Sequence, residues 1–592
     1  MLDLRIYRAA FVGLLLAILV VAFSLEAQPR AIGTTLAPDA FDADAAFAVL
    51  GDYAERFPQR RPGSRDDTLL AARVARDLSV LGPRTVRTVE HDGQTIDGEQ
   101  RLTTVIATRP GRPGPGIVVV AHRDAVGGPA LAELSGTAAL VELARVTAAG
   151  RLRRTVTFVS TSGGSGGLAG ARRAAQELPR PVDAVLVLGD LASTRVRKPW
   201  SVGFSNDGGA APARLRRTLE AAVRGETGQD PGGPRAAAQW ARLAFPMTVS
   251  EQGAFGAAGD ASVLLSASGE LPPGVGAPVE AERLGAFGRA ALRTIFALDG
   301  GPDIASGPEQ LVVTQRKLLP YWAVSLLVGA ALFPVWLAVG DAVARVRRRK
   351  LALGRAARWV LTAMLPFALV LALTALLGLV GFLAARPAAP VPVGAVPIDR
   401  AAAGLLVALV LVFVLGWVAA RPAALRALGA GGAVGTEHAA AALGVLALAS
   451  VVLWLVNPFA AALLVLPAHL WLLAVAPEVR LPRAAGVVLF LVALLPFAAV
   501  LRSLAGQFDA GPLDAAWGLV LLVAGGHVGP LAWLAWCVVA GAAVSVAVLV
   551  VVGRPADGEA VRGAPSRSPA VRGPRGSAGP GSLGGTDSAL RR

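Results

Sequence analysis

The stretch IVVVAHRDA (117–125) decides how the first half of this sequence is read. A short apolar run rich in β-branched residues, closed by polar ones, is the pattern of a strand buried on both faces. Four more runs share it: TVRTVEH (85–91), LTTVIAT (102–108), TVTFVST (155–161) and AVLVLGD (184–190). Helical patterns lie between and around them at 67–81, 134–149, 167–178, 210–224 and 281–298. Strands alternating with helices predict an α/β fold, a mostly parallel twisted sheet with helices on both faces. In such sheets chemistry gathers beyond the carboxyl ends of the strands. His122, Asp124, the glycine loop 163–167 and Asp190 fall there.

The rest of the chain has a different character. Lys plus Arg number 57 and Asp plus Glu 41, giving +16 over 592 residues that are 54% hydrophobic. A mean hydropathy of +0.56 places much of the chain in lipid and excludes a soluble one-domain protein. The lone Cys537 excludes an intrachain disulfide. Lys198, Lys317 and Lys350 are the only lysines, and the wealth of Ala, Gly and Arg reads as genomic base composition, so no nucleic-acid partner is expected.

Residues 9–25 are uncharged and follow Arg5 and Arg8, and LEAQ after them is a poor cleavage site. They predict an uncleaved anchor with its N-terminus in the cytoplasm, which puts the α/β region outside. Further apolar runs lie near 320–340, 359–384, 402–420, 438–456, 458–476, 484–501, 513–528 and 531–552. The organisation expected is an anchor at 1–25, an extracytoplasmic α/β domain at 26–316, a bundle of about eight helices at 317–552 and a disordered basic tail at 553–592. That describes a multi-pass protein of the cytoplasmic (plasma) membrane. Arginines near 345–358, at 421 and 426, and at 480 and 483 fall in loops this order makes cytoplasmic. The tail conflicts with it, because crossing at every run leaves seven Arg against three acids outside. Either 513–528, which holds His527, does not cross, or the tail ignores the charge rule.

RPGSRDDTLLAARVARDLSVLG (61–82), IVVVAHRDA (117–125), LSGTAALVELAR (134–145), TVTFVSTSGGSGGLAGAR (155–172) and AVLVLGDL (184–191) together resemble the M28 family of zinc-dependent aminopeptidases, over roughly residues 40–300. The resemblance implies two zinc ions that acidify a bridging water and polarise the substrate carbonyl. It gives His122 the role of a zinc ligand, Asp124 that of orienting its imidazole, and Asp190 that of a later Asp ligand. Elsewhere the match fails. Ala132 stands where the bridging Asp belongs, Gly164 where the catalytic Glu belongs, and Ser165 where the adjacent Glu ligand belongs. In the last motif Asp260 is followed by Ala261 in place of His. The α/β region holds only His91 and His122, so a two-zinc site is not expected.

His122 and Asp190 with Glu133 would make a single-zinc site, and otherwise His122 and Asp124 are relics bonded to each other. Residues 164–169 also fit the dinucleotide pattern G-x-G-x-x-A, though not after a first strand. The backbone from Gly163 to Gly167, at a helix N-terminus, suits a carboxylate or phosphate. Ser162 or Ser165 with His122 as base lacks a G-x-S-x-G elbow. In the membrane half His469 is the clear intramembrane ionisable residue, read as hydrogen-bonded between helices or functional.

The first reading is therefore a pseudo-peptidase domain, without cofactor, that presents a cleft to a peptide, a lipid-linked substrate or a protein partner beside the lipid bilayer. Non-catalytic relatives of the family give that reading its precedent. One rival is a membrane-bound aminopeptidase with a rebuilt single-zinc site. The other is transport or lipid handling by the later helices, with the α/β domain as accessory.

Overall fold

The computed structural model describes residues 4–82, 85–128, 130–150, 152–233, 235–304, 307–383, 386–479 and 481–552. The tail expected at 553–592 lies outside the described residues.

The expected runs form β1 (Val86–Thr95), β2 (Gly98–Arg109), β3 (Arg112–His122), β4 (Arg154–Thr161) and β5 (Val182–Leu188), joined by β6 (Ser201–Val202) and β7 (Ser262–Leu265). Their order is β1-β2-β4-β3-β5-β7-β6. At the centre Val119 of β3 stands between Phe158 and Leu186, with β4, β3, β5 and β7 all parallel. The edges are antiparallel, which the sequence reading did not anticipate. Only Ile96 and Asp97 separate β1 from β2, and so short a connection joins only antiparallel strands. At two and four residues, β6 and β7 are too short to show a period.

Helices cover both faces: α3 (Ala43–Arg56), α4 (Arg65–Leu78), α5 (Ser135–Ala149), α6 (Ala169–Glu177), α7 (Ala213–Thr227), α8 (Ala236–Ala244), α9 (Gln252–Ala257) and α10 (Ala281–Gly300). Alternation along β3 explains the two layers. Ile117, Val119 and Ala121 pack with Leu50, Leu70, Leu140 and Leu292 on one side. Val118 and Val120 pack with Ala171 and Phe255 on the other.

Before this domain come α1 (Leu4–Ala9) and α2 (Phe11–Ser24). After it come α11 (Tyr321–Arg348), α12 (Leu353–Thr362), α13 (Leu365–Leu379), α14 (Arg400–Leu415), α15 (Arg421–Ala427), α16 (Thr436–Val456), α17 (Pro458–Ala461), α18 (Val465–Val475), α19 (Arg483–Ala493), α20 (Leu495–Gln507), α21 (Pro512–Ala524) and α22 (Pro530–Val552). Among the described residues seven helical stretches are long and apolar enough to cross a membrane, or eight with the bent pair α12–α13. That pair turns by 42° just before Pro366, whose missing N–H and bulky ring prevent a smooth junction. The run near 513–528 does not form a full span. Its helix has 13 residues, about 20 Å at 1.5 Å each, against a hydrocarbon core of ~30 Å.

The domain is packed onto the bundle rather than tethered to it. Leu243 and Ala244 of α8 share one core with α11, α16, α18 and α22. Trp240 donates its indole N–H to the Phe459 carbonyl (3.0 Å), and Asn457 donates to the Leu243 carbonyl (2.9 Å). The strand pair β8 (Leu311–Val313) and β9 (Leu318–Pro320) leads into α11, and Ala27 pairs with Lys317 beside it. That bridge ties the exit of α2 to the entry of α11.

Candidate functional site

β3 ends in His122, and the parallel strands β4 and β5 end beside it, so their loops converge on one pocket. The His122 carbonyl accepts from the Thr137 hydroxyl (2.7 Å), which fixes the strand end to α5. Its ring Nδ1 lies 3.1 Å from the Asp124 carbonyl and 3.6 Å from an Asp124 carboxylate oxygen. Asp124 does more for the glycine loop than for the imidazole. Its carboxylate accepts from the backbone N–H of Gly164 (2.8 Å) and Ser165 (3.1 Å) and from the Ser165 hydroxyl (2.7 Å). The loop expected to cradle a carboxylate cradles this one, from its own chain.

That geometry leaves no room for a longer residue at 164. A Cβ there would fall inside the His122 side chain. The loop reaches α6 through Gly163 (φ 78°), Gly167 (φ 112°) and Leu168 in the left-handed region (φ 62°). Beneath it Ser162 donates to Asp67 (2.5 Å), which pairs with Arg123 (2.9 Å), both fully buried. Ser162 and Ser165 thus spend their hydroxyls on carboxylates and not on His122.

Glu133, in the turn before α5, and Glu251, just before α9, line the same pocket as His122 and Asp190. Glu251 accepts from the Thr161 hydroxyl with one oxygen, while its other is buried without a hydrogen-bond partner among the described residues. Sequence reading missed Glu251, because α9 has six residues and nothing in SEQG (250–253) singles it out. Burial pushes both Glu133 and Glu251 up to about 7. Burial opposes charge on His122 as well, but Asp124, Glu133 and Glu251 outweigh it and push the imidazole up to about 10. Burial would raise Asp124 too, yet His122, Ser165 and Gly164 hold it below the usual carboxylate range.

These residues do not fit a pair of zinc ions. Asp190 accepts from the Ala192 N–H (3.0 Å), the Ser193 N–H (2.9 Å) and the Ser268 hydroxyl, so internal donors engage both its oxygens. Among the described residues no group of three or more His, Cys, Asp or Glu side chains converges to hold a metal ion. Asp260 is not part of the site: it precedes β7, at the end of the sheet where β5 begins, and pairs with Arg180. His91 lies outside the pocket, in β1. His469 is far off in the bundle, bridging the Tyr7 hydroxyl (2.6 Å) and the Ala331 carbonyl (2.9 Å).

The pocket is small, about 50 Å³, and part of its wall comes from the bundle. Pro392, between α13 and α14, lines it together with Glu270 and Leu271. Upstream in that segment Ala388 donates its N–H to the Gln94 carbonyl (2.9 Å), and Pro387 presses on Gly167.

An α/β domain with a parallel central sheet, its polar residues gathered at the strand ends and its body packed on membrane-type helices, defines the class of this protein. Residues 104–233 match the family model Peptidase family M28, so the domain is M28 peptidase-like. Solved structures similar to the chain include a glutaminyl cyclase from an Acidobacteriales bacterium (16% identity, TM-score 0.35, covering 46% of this chain and 99% of that one). LapB from Legionella pneumophila (18%, 0.36, 47% and 79%) and BSAP, a zinc aminopeptidase from Bacillus subtilis (13%, 0.35, 45% and 99%), are also similar. No curated protein matches the sequence.

Proposed function

We propose that this is a multi-pass membrane protein whose M28 peptidase-like domain is catalytically degenerate and serves as a binding or scaffold module outside the cytoplasm. The observation that carries the reading is that the polar residues of the old site hold one another. Asp124 fastens the glycine loop, Asp190 fastens the turn after β5, and Gly164 has no room for an acid. A segment of the bundle reaches the pocket through Pro392, leaving about 50 Å³, too little for a scissile peptide.

Placement outside the cytoplasm rests on the arginine pattern. With α21 too short to cross, eight spans keep the basic loops and the tail on the N-terminal side, which removes the conflict in charge. On this reading the anchor, the α/β domain at 26–316 and the bundle at 317–552 form one membrane-bound unit.

The rival with a specific observation behind it is a single-zinc aminopeptidase, since the unpartnered oxygen of Glu251 offers a carboxylate near His122. Zinc content of the full-length protein, purified without chelator and titrated with zinc, separates the two. The expected result is no stoichiometric zinc at micromolar free metal and no release of amino acids from peptides. One zinc per chain, lost in both His122→Ala and Glu251→Gln, would overturn the degenerate reading.

A further inference from the structure

A second cavity, larger than the pocket at His122, lies elsewhere. It measures about 840 Å³ and lies where the α/β domain meets the ends of α13 and α21. One wall comes from the domain, with His91, Gln94, Arg172 and Arg173; the other comes from the bundle, with Arg386 and His527. Its carboxylate lining is confined to Asp92, which is paired with Arg101 (3.3 Å). Arg173 pairs with Glu177 (2.6 Å), whereas Arg172 donates to the Ala388 carbonyl and has no carboxylate among the described residues. Arg386 is exposed and makes no ion pair among the described residues, and its guanidinium lies against the Gly526 backbone. The cavity thus brings two guanidinium groups without counter-ions together with two imidazoles.

The surroundings specify the kind of anion. Leu376 (53% exposed), Leu379 (65%), Val380 (66%) and Phe382 (75%) leave a bare apolar surface at the end of α13, next to the cavity. Gly378, Gly381, Gly525 and Gly526 form its floor with backbone alone, which lets a bulky group approach. A basic pocket opening beside exposed apolar side chains at a helix end matches a lipid whose phosphate sits among the arginines and whose tails run along the helix.

We propose that this cavity binds the phosphate head group of an anionic membrane lipid and that the lipid bridges the domain and the bundle. It is separate from the acidic pocket at His122 and does not depend on whether that pocket holds metal. The two walls provide independent tests: Arg386→Gln on the bundle side, and Gln94→Glu, which places a carboxylate in the cavity, on the domain side. Both positions are exposed, so neither change disturbs a packed core.

The experiment is native mass spectrometry of the full-length protein in detergent, offered dioleoyl phosphatidylglycerol, dioleoyl phosphatidylcholine or inorganic phosphate. The expected outcome is retention of phosphatidylglycerol over phosphatidylcholine, weakened about tenfold by either substitution, as expected for losing or opposing one charge-assisted contact. Arg76→Gln, on the exposed face of α4 and away from the cavity lining, should change nothing. Equal retention of both lipids, or no response to either substitution, would overturn the proposal. Inorganic phosphate displacing phosphatidylglycerol stoichiometrically would assign the cavity to a soluble phosphate compound and overturn the lipid.

Discussion

Glu251 shows how a single buried side chain sets the behaviour of the pocket. It and Glu133 are raised to about 7, above the usual ~4.5 of a free glutamate, so an unfolded chain gives up these protons first as pH rises. Their contribution to stability is whole below about pH 4.5 and is lost as pH climbs through about 7. His122, raised to about 10 from ~6.5, adds a loss of the same sign at higher pH. The melting temperature of the full-length protein should therefore fall from pH 5 to pH 8 by roughly 5 °C, and Glu251→Gln should flatten the slope. A wild-type profile that is flat or rises over that range would contradict the raised carboxyls. The pocket residues legible in the sequence were His122, Asp124 and Asp190, at the ends of recognisable strands, and Glu133, beside the position the resemblance gives to a bridging Asp. Glu251 was not legible because it reaches the pocket from a short helix remote in sequence from β3.

Individual elements carry the question of topology. Regular runs of β-branched residues made β1 to β5 readable, since alternation and burial leave a period in the chain. The short β7 and the turn before α5 left no such trace. For 513–528 the charge pattern leaves crossing open, and the structure adds that its helix α21 has only 13 residues and ends at Ala524, whereas an apolar run needs length as well as hydropathy to cross a bilayer. On the proposed topology, with α21 outside the count, the tail shares the side of the N-terminus. Ser577→Cys in that tail should then resist a membrane-impermeant maleimide in intact cells and react after permeabilisation, the native Cys537 being buried. Labelling in intact cells would restore α21 as a crossing segment.

Taken whole, the molecule depends on the junction of its two parts. Trp240 stacks edge-on with Phe459 (5.2 Å), Phe245 packs on Trp536 (5.5 Å), and Arg242, paired with Glu270 at the pocket wall, lies over Phe508 (4.7 Å). These contacts couple the acidic pocket to the bundle. Trp240→Ala should cost about 3 kcal/mol and split one thermal transition into two, with the domain separating from the helices. A single, unshifted transition would show that the junction contributes little. The sequence by itself determined the α/β sheet and the contrast between an α/β region and long apolar helices, because hydrophobic period and segment length are local properties. Only the tertiary structure decided that Asp124 serves the glycine loop, that Glu251 joins His122, that Pro392 lines the pocket and that two arginine-bearing walls border a second, open cavity. Each of those depends on parts of the chain far apart in sequence being brought within a few ångströms, which no local pattern records.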